Sequence, residues 1–225
     1  MEVYIRVSKI MTPREVVKQI HSGDTIMLGG FTYRGFPKLI VQALCKETEC
    51  NNLTFFVNAP NEKLSPELED LLSTRCEHLK CSFIRSHAAI QLMERGRMEL
   101  MPQGNFSEAI RMGGSGVPAY YTPVGIGTPV AEGKEIRVFD GKPYMLQHAL
   151  TGDVALFRAN VVDKAGNCWI KGATKNFSPM MALACKKVFV EAETLVDVGE
   201  IDPELVTVPS IVVTGIVEVT ATHDM

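Results

Sequence analysis

The fold is set by the stretch Ile26-Met27-Leu28-Gly29-Gly30-Phe31-Thr32-Tyr33-Arg34-Gly35-Phe36-Pro37. The apolar run over residues 25–28 predicts a short buried strand that ends at the glycine pair. Pro37 then opens a helix predicted over residues 38–45, because proline is favoured in a first helical turn. A strand, a glycine loop and a helix in this order are typical of a βα unit, which binds ligands at the carboxyl end of its strand. A tight turn without a ligand stays the alternative, since the spacing matches neither a dinucleotide nor a P-loop motif.

The same alternation continues through the first half of the chain. Thr12-Pro13-Arg14-Glu15 is a capping box with proline at the first helical position. We predict helices over residues 12–21, 66–72 and 87–95, and strands over residues 53–57, 81–85 and 99–101. Strands that alternate with helices point to a parallel sheet covered on both faces, because each crossover must lie over the sheet.

The second half of the chain is richer in strands. Residues 113–133 hold six glycines and three prolines, which predicts an ordered loop rather than regular structure. Asp140-Gly141 predicts a tight hairpin turn between strands at 136–139 and 143–146. The remaining elements are predicted as strands at 153–160 and 187–191, a helix at 179–185, and edge strands or a docking tail at 211–213 and 216–219. We therefore predict one domain over residues 1–225, a three-layer α/β/α arrangement with a mostly parallel sheet and a strand-rich excursion.

Composition excludes several function classes. The 225 residues are 46% hydrophobic and 22% charged, the balance of a soluble globular protein. Lysine and arginine total 23 against 26 acidic residues, a net charge of −3 with no basic block, so we expect no nucleic-acid partner. The longest apolar run, residues 206–219, is interrupted by Pro209 and Gly215, so we expect no membrane span. The first residues carry no apolar run of a secretory signal, and we expect a cytoplasmic protein.

Cysteines and histidines do not form a recognisable metal or catalytic pattern. The six cysteines form two C-x4-C pairs and two single residues, at positions 45, 50, 76, 81, 168 and 185. Because zinc sites usually have C-x2-C spacing with further Cys or His ligands, we expect reduced thiols and no metal. The five histidines, the last of them His223, are scattered without an adjacent Ser or Cys motif, which does not favour a catalytic triad.

Several longer blocks carry a resemblance to a known family. Gly29-Gly30-Phe31-x3-Gly35-x-Pro37, Met101-Pro102-Gln103-Gly104, the glycine-rich block over residues 110–128 and Thr151-Gly152-Asp153 occur in sequence order. Together they resemble the first (alpha, or A) subunit of the family I coenzyme A transferases over most of the chain. The family's usual Asp-Gly or Asn-Gly before the first strand is Ser22-Gly23 here, which alters a turn and not the chemistry. The resemblance implies the CoA-transferase fold, which is phosphosugar-isomerase-like, and coenzyme A as a substrate without a tightly bound cofactor.

The nucleophile that the resemblance implies is absent from this chain. These transferases use a glutamate that attacks the thioester carbonyl and passes through an acyl anhydride and an enzyme thioester. That glutamate belongs to a Ser-Glu-Asn-Gly motif on the second (beta, or B) subunit, and no Glu-Asn dipeptide occurs here. The resemblance therefore implies half of an enzyme, which assembles with the B subunit of a CoA-transferase, expected as α2β2.

The resemblance also implies which residues of this half reach the substrate. Gln103 and Asn58 are candidate donors to the acyl carbonyl or carboxylate, because fixed donors stabilise an oxyanion efficiently. For both, a purely structural role in a loop stays the alternative. The other candidates form an active-site glycine loop, in which Phe31 excludes water, and a second glycine loop: Gly29, Gly30, Phe31 and Gly35, then Gly113, Gly114 and Gly116.

The activity that follows is a ping-pong transfer of CoA between a short-chain acyl-CoA and a carboxylate or 3-oxoacid. Acetate, acetoacetate, butyrate and succinate all stay open as the acids, since one or two methylene groups discriminate weakly. The alternative is a stand-alone small-molecule binding or sensing module of the same fold, with a phosphosugar-type ligand at the Gly29 loop. A third option, a chain that hydrolyses thioesters alone, needs a carboxylate that the sequence does not single out.

Overall fold

The computed structural model describes residues 8–31, 34–63 and 65–219; His223 and the other residues beyond 219 lie outside this range. Six α-helices fall within the described residues: α1 Pro13–Val17, α2 Lys38–Glu47, α3 Pro66–Thr74, α4 His87–Glu94, α5 Gln103–Gly114 and α6 Ser178–Ala184. The strands of the same residues are β1 Thr25–Leu28, β2 Leu53–Val57, β3 Cys76–Cys81, β4 Met98–Leu100, β5 Ala119–Thr122, β6 Ile136–Phe139, β7 Lys142–His148, β8 Gly152–Asp163, β9 Cys168–Trp169, β10 Cys185–Val196 and β11 Gly215–Glu218.

A mostly parallel sheet forms the centre of the fold. Its order is β11-β10-β8-β1-β2-β3-β4, and every neighbouring pair in this order is parallel. The short β9 adds to β8 in the antiparallel direction. Strand β1 lies between β8 and β2, with Leu28 opposite Leu156 and Val57. The carboxyl ends of β1, β2, β3 and β4 therefore open along one edge of the sheet.

Side chains that alternate along the strands build two cores, one on each face of the sheet. Leu28, Phe55 and Leu156 pack with helices α1 to α4 on one face. Their neighbours Met27 and Phe56 pack with α5 and α6 on the other face. Both sets are almost fully buried, as expected for a parallel sheet between two helical layers. The predicted three-layer α/β/α arrangement is confirmed.

The strand-rich excursion is a separate antiparallel sheet of order β5-β7-β6. The predicted hairpin between β6 and β7 is confirmed, and its turn has positive φ at Asp140 (50°) and Gly141 (75°), as the tight hairpin turn requires. The expectation of a continuous loop over residues 113–133 is wrong. Residues 119–122 form β5, because their backbone pairs with β7.

Other predicted boundaries also need correction. Strand β3 occupies residues 76–81 and not 81–85, since Phe83 is exposed and its apolar character misled the prediction. Helix α1 ends at Val17, four residues before the predicted end, although its predicted capping box forms. Residues 210–212 form a short 3-10 helix instead of an edge strand, with Ile211 on the surface, whereas β11 is confirmed as the edge strand.

None of the helices within the described ranges has the length and apolar character that crossing a membrane requires.

Helix α5 contains two glycines that allow a matched stability test. A Cβ at Gly113 would overlap the backbone carbonyl of Leu150. Residue 150 is held against α5, because its N–H donates to the backbone carbonyl of Ala109 in that helix (2.9 Å). A Cβ at Gly104 would meet nothing within 4 Å. We expect Gly113→Ala to destabilise the protein by about 1–3 kcal/mol, because backbone must move. Gly104→Ala should be neutral or stabilising by up to about 1 kcal/mol.

Urea unfolding of the two variants beside the unchanged protein checks this expectation. Equal free energies of unfolding for Gly113→Ala and Gly104→Ala would contradict the close packing of α5 against residue 150.

Candidate active site

A cleft of about 360 Å³ lies at the carboxyl edge of the sheet. Each of the four strands that end there supplies a wall residue from the segment that follows it: Phe31 after β1, Asn58 after β2, Ser82 after β3 and Gln103 after β4. The remaining lining residues within the described ranges are Ala59, Asn61, Phe83 and Arg85. The parallel topology thus brings Phe31, Asn58 and Gln103, three residues singled out from the sequence, into one cleft.

Hydrogen bonds fix the amide of Asn58 at the floor of this cleft. Asn58 is 6% exposed, and its Oδ1 accepts from Ser82 Oγ and from Gln103 Nε2 (3.2 Å). Its backbone carbonyl also accepts from Ser82 Oγ (2.9 Å). Because both side-chain bonds use Oδ1, the Nδ2 donor group of Asn58 is directed away from them. Gln103 keeps a second N–H on Nε2. The pair therefore leaves amide N–H groups that are not used in these two hydrogen bonds.

The glycine loop between β1 and α2 is packed too tightly for side chains. A Cβ on Gly29 would overlap Ser178 Oγ, which accepts from the N–H of Gly30 (3.2 Å). Gly30 has a φ of +96°, and a Cβ there would lie 2.7 Å from the backbone of Gly35. Asn176 Nδ2 donates to Gly30 O (2.8 Å) from the segment before α6. Glycine is required at these positions by close approach and by positive φ.

Phe31 projects from this loop into the cleft. Its backbone exchanges two hydrogen bonds with Arg34, at 2.9 and 3.1 Å, which closes the loop on itself. Thr32 and Tyr33, between them, lie outside the described residues. The Phe31 side chain lines the cleft and is 41% exposed, so it forms an apolar rim and not part of the core.

A buried ion pair holds the start of α2, directly after the glycine loop. Glu191 of β10 has no exposed surface, and its Oε2 accepts from Arg158 Nε (2.9 Å) and Nη2 (2.7 Å) of β8. Its Oε1 accepts from the N–H of Ile40 in the first turn of α2 (2.8 Å). Helix α2 has no side-chain cap from its own Pro37, so a carboxylate from the sheet takes that role. Burial raises the pKa of Glu191, whereas Arg158 and the helix N–H groups oppose that rise.

The second glycine loop predicted from the sequence is not part of this cleft. Gly113 and Gly114 belong to the last turn of α5, where a Cβ on Gly114 would lie 2.8 Å from Leu183 of α6. Gly116 follows the helix with a φ of +73° and open space around it. None of the three lines the cleft in the described part of the chain. Gly113 and Gly114 allow close packing of α5, Gly116 lies in the turn that follows, and a functional role for this second glycine loop stays a prediction.

The three buried thiols do not resemble reactive groups. Cys76, Cys81 and Cys168 are buried, and burial raises the pKa of each thiol to about 12. A thiol with so high a pKa is a poor nucleophile at neutral pH. Within the described ranges, no group of three or more His, Cys, Asp and Glu side chains is arranged to hold a metal ion. The absence of a metal remains a prediction from the sequence.

Sequence reasoning missed four residues that shape this region: Ser82, Arg85, Arg158 and Glu191. Arg158 and Glu191 face the helical layer because their strands pair in register at these residues. The sequence contains a signal for the pair of Glu191 and Arg158. Glu191 lies inside the apolar run of residues 188–192, and a buried carboxylate needs a charged or hydrogen-bonding partner. No local signal marked Ser82 or Arg85, because both follow a strand whose position was predicted wrongly.

The parallel sheet, its two helical layers and the cleft at the strand ends define an α/β protein, and the cleft lies where open parallel sheets commonly bind small ligands. Comparisons with known proteins identify the class. The family model described as coenzyme A transferase matches residues 10–219. The chain belongs to the coenzyme A transferase family.

Individual relatives agree with this assignment. The chain is 37% identical to the A subunit of 3-oxoadipate CoA-transferase from Pseudomonas putida, with 90% of each chain covered. It is 33% identical to the A subunit of a probable succinyl-CoA:3-ketoacid coenzyme A transferase from Bacillus subtilis, covering 92% of this chain and 88% of that one. The resemblance to A subunits is therefore confirmed, and the chain is an enzyme subunit of the CoA-transferring kind.

A solved structure confirms the fold. An acyl-CoA transferase of E. coli O157:H7, in a thioester complex with CoA, superposes with a TM-score of 0.79 at 19% identity. The match covers 95% of this chain and 47% of that one, so this chain spans about half of that larger protein's length.

The buried ion pair gives a second stability prediction. We expect Glu191→Gln to lower the free energy of unfolding by about 3–5 kcal/mol, because Arg158 then loses the carboxylate against which it is buried. Glu193→Gln is the matched control, since Glu193 lies two residues further along β10, is exposed and accepts from Asn160 (2.7 Å). That change should stay within about 0.5 kcal/mol. Urea unfolding measures both, and equal effects would contradict the structural role of Glu191.

Proposed function

We propose that this chain is the A subunit of an enzyme that moves CoA between a short-chain acyl-CoA and a carboxylate or 3-oxoacid. One observation carries the proposal. The cleft collects the amide donors of Asn58 and Gln103 and the ring of Phe31, yet none of its described lining residues is a carboxylate. A site with stabilising donors and no nucleophile fits half of a catalytic site, and we infer that the B subunit supplies the nucleophile.

The proposed chemistry conserves the energy of the thioester bond. A glutamate carboxylate of the B subunit attacks the acyl-CoA carbonyl, the C–S bond breaks and the CoA thiolate leaves, which forms an acyl-glutamyl anhydride. The thiolate then attacks the glutamyl carbonyl, releases the first acid as a carboxylate and forms a glutamyl-CoA thioester. The second carboxylate reverses these two steps and departs as the new acyl-CoA. This is a ping-pong sequence.

This chain's contribution is the stabilisation of negative charge. In each addition step the carbonyl oxygen becomes an oxyanion, and donors fixed in advance lower the barrier most. Asn58 fits this role because Ser82 and Gln103 hold its Oδ1, which leaves Nδ2 to donate. Gln103, exposed at the start of α5, donates from Nε2 beside it.

Phe31 has a different role in the proposal. Hydrolysis of the anhydride or of the enzyme thioester would release the free energy of the thioester without CoA transfer, so the reacting centre has to be shielded from water. The exposed ring of Phe31 on the cleft rim, carried by the tight loop of Gly29, Gly30 and Gly35, fits a cover that closes against the partner. The proposal includes an α2β2 assembly with the B subunit, one domain in this chain, a cytoplasmic location and no tightly bound cofactor.

Exchange of CoA between acetyl-CoA and acetoacetate tests the proposal directly. We expect no exchange by this chain alone and full exchange after co-purification with a CoA-transferase B subunit encoded beside it. Borohydride should trap the glutamyl-CoA thioester on the B subunit and leave this chain unlabelled. Failure to form a complex, with no exchange in either sample, would instead favour the stand-alone binding module. Exchange by this chain alone would contradict the half-site.

The oxyanion role gives a prediction for Gln103. We expect Gln103→Ala to lower kcat of the complex about 10- to 1,000-fold, because one donor to the developing charge is lost. Assembly with the B subunit should be unchanged. Gln91→Ala on the exposed face of α4 is the matched control and should retain the activity of the unchanged complex. Unchanged kcat in the Gln103 variant would remove this residue from the site.

A further inference from the structure

We propose that Arg85 binds a second carboxylate on the acyl group, so that this cleft is built for dicarboxylic acids. The inference rests on the proposed CoA-transferase function and names the substrate class of the same site. Arg85 is the only charged residue among the described residues that line the cleft. Four of the other lining residues are polar and neutral: Asn58, Asn61, Ser82 and Gln103. One cation among amides gives the cleft a fixed preference for an anion.

The guanidinium of Arg85 lies beyond ion-pair distance of the acidic side chains among the described residues. No carboxylate of these ranges forms an ion pair with its guanidinium. Glu62 lines a neighbouring cavity together with Arg85, and its carboxylate accepts from the N–H of His87 at the start of α4 (3.3 Å). The guanidinium instead lies over the ring of Phe83, 5.3 Å from its centroid. This stacking orients the group and leaves its edge N–H groups for a carboxylate, which arginine binds in a bidentate manner.

Backbone hydrogen bonds hold Arg85 in a fixed relation to the amide donors. Arg85 N donates to Pro60 O (3.0 Å), and Glu62 N donates to Arg85 O (3.1 Å). Earlier in the same two loops, Asn58 O accepts from the N–H groups of Ser82 (2.9 Å) and Phe83 (3.2 Å). The loops after β2 and β3 are thus joined along their length. A ligand whose carbonyl lies at Asn58 meets Arg85 further along the same wall.

The size of the cleft favours a carboxylate over a phosphate of CoA. Arg85 and the amides line one cavity of about 360 Å³, so the anion and the reacting carbonyl belong to the same small space. In acyl-CoA the whole pantetheine arm separates the thioester sulfur from the nearest phosphate. A dicarboxylic acyl group instead carries its second charge only a few bonds from the thioester carbonyl. The acyl group is therefore the source of the anion.

Steady-state kinetics of the complex with the B subunit test this inference. Acetyl-CoA is the donor, and butyrate and succinate form a matched pair of acceptors with the same number of carbon atoms; valerate and glutarate form a second pair. We expect the unchanged complex to prefer the dicarboxylic member of at least one pair. Arg85→Gln should raise KM for that acid about 10- to 100-fold, because a charge-assisted hydrogen bond is lost. KM for butyrate should be unchanged.

Two further variants control for charge and for folding. Arg85→Lys keeps the charge without the planar fork and should give an intermediate KM for the dicarboxylic acid. Arg14→Gln removes an exposed arginine that pairs with Glu47 (3.5 Å), away from the cleft, and should behave like the unchanged complex.

Other outcomes would overturn the inference in distinguishable ways. If Arg85→Gln changes KM for butyrate and for succinate by the same factor, Arg85 does not bind a second carboxylate. A raised KM for acetyl-CoA with butyrate as acceptor would assign Arg85 to a CoA phosphate. Loss of the B subunit from the Arg85→Gln preparation would assign Arg85 to the interface between the two subunits. A preference for butyrate and valerate in the unchanged complex would exclude a dicarboxylate site.

Thermal unfolding separates this inference from the proposed function, since it needs no turnover. Succinate or glutarate should raise the Tm of the unchanged complex more than butyrate or valerate at equal concentration and ionic strength, and Arg85→Gln should abolish the difference. If the unchanged complex transfers no CoA to any acid but shows this difference, the proposed function fails and the anion site stands. Equal Tm values with all four acids would overturn the anion site.

Discussion

The buried pair of Glu191 and Arg158 is the interaction on which the site depends. It joins two adjacent strands of the sheet, and Glu191 also accepts from the N–H of Ile40, so that the sheet itself caps helix α2. Since α2 begins directly after the glycine loop, this contact determines where the loop ends. On the other side of the loop, Ser178 accepts from the N–H of Gly30. Both layers of helices therefore hold the segment that carries Phe31.

The cleft follows from a simple property of parallel sheets. Four neighbouring strands end at the same edge, and each is followed by a different type of lining residue. In strand order from β1 to β4 these are the aromatic ring of Phe31, the amide of Asn58, the hydroxyl of Ser82 that bonds to this amide, and the amide of Gln103 at the start of α5. Among the described residues, the side-chain amide of Asn58 accepts two hydrogen bonds at Oδ1, so Nδ2 is the group left to donate to a ligand. The proposed oxyanion site is therefore organised before a substrate arrives, with little reorganisation left for the reaction itself.

In the proposed site, Arg85 is a candidate determinant of which acids the enzyme accepts. The family assignment leaves the acids open, because relatives with similar sequences act on different ones, as the 3-oxoadipate and succinyl-CoA names of two of them indicate. Discrimination by one methylene is weak, whereas a charged group that needs a counter-charge discriminates strongly. A single arginine on the cleft wall would thus influence substrate choice more than the apolar residues around it.

Local signals in the sequence were enough to specify the layers of this protein and most of its strands, because apolar runs of fixed period and capped helices act over a few residues. Motifs shared with a family also singled out Asn58, Gln103 and Phe31, and all three line the cleft. No local signal could indicate that Gly113 serves helix packing, since the carbonyl it approaches lies in a distant segment. Arg85 and the pair of Glu191 with Arg158 were missed for a related reason. Their positions depend on strand register, and residues so far apart in the chain come into contact through the folding of the whole sheet.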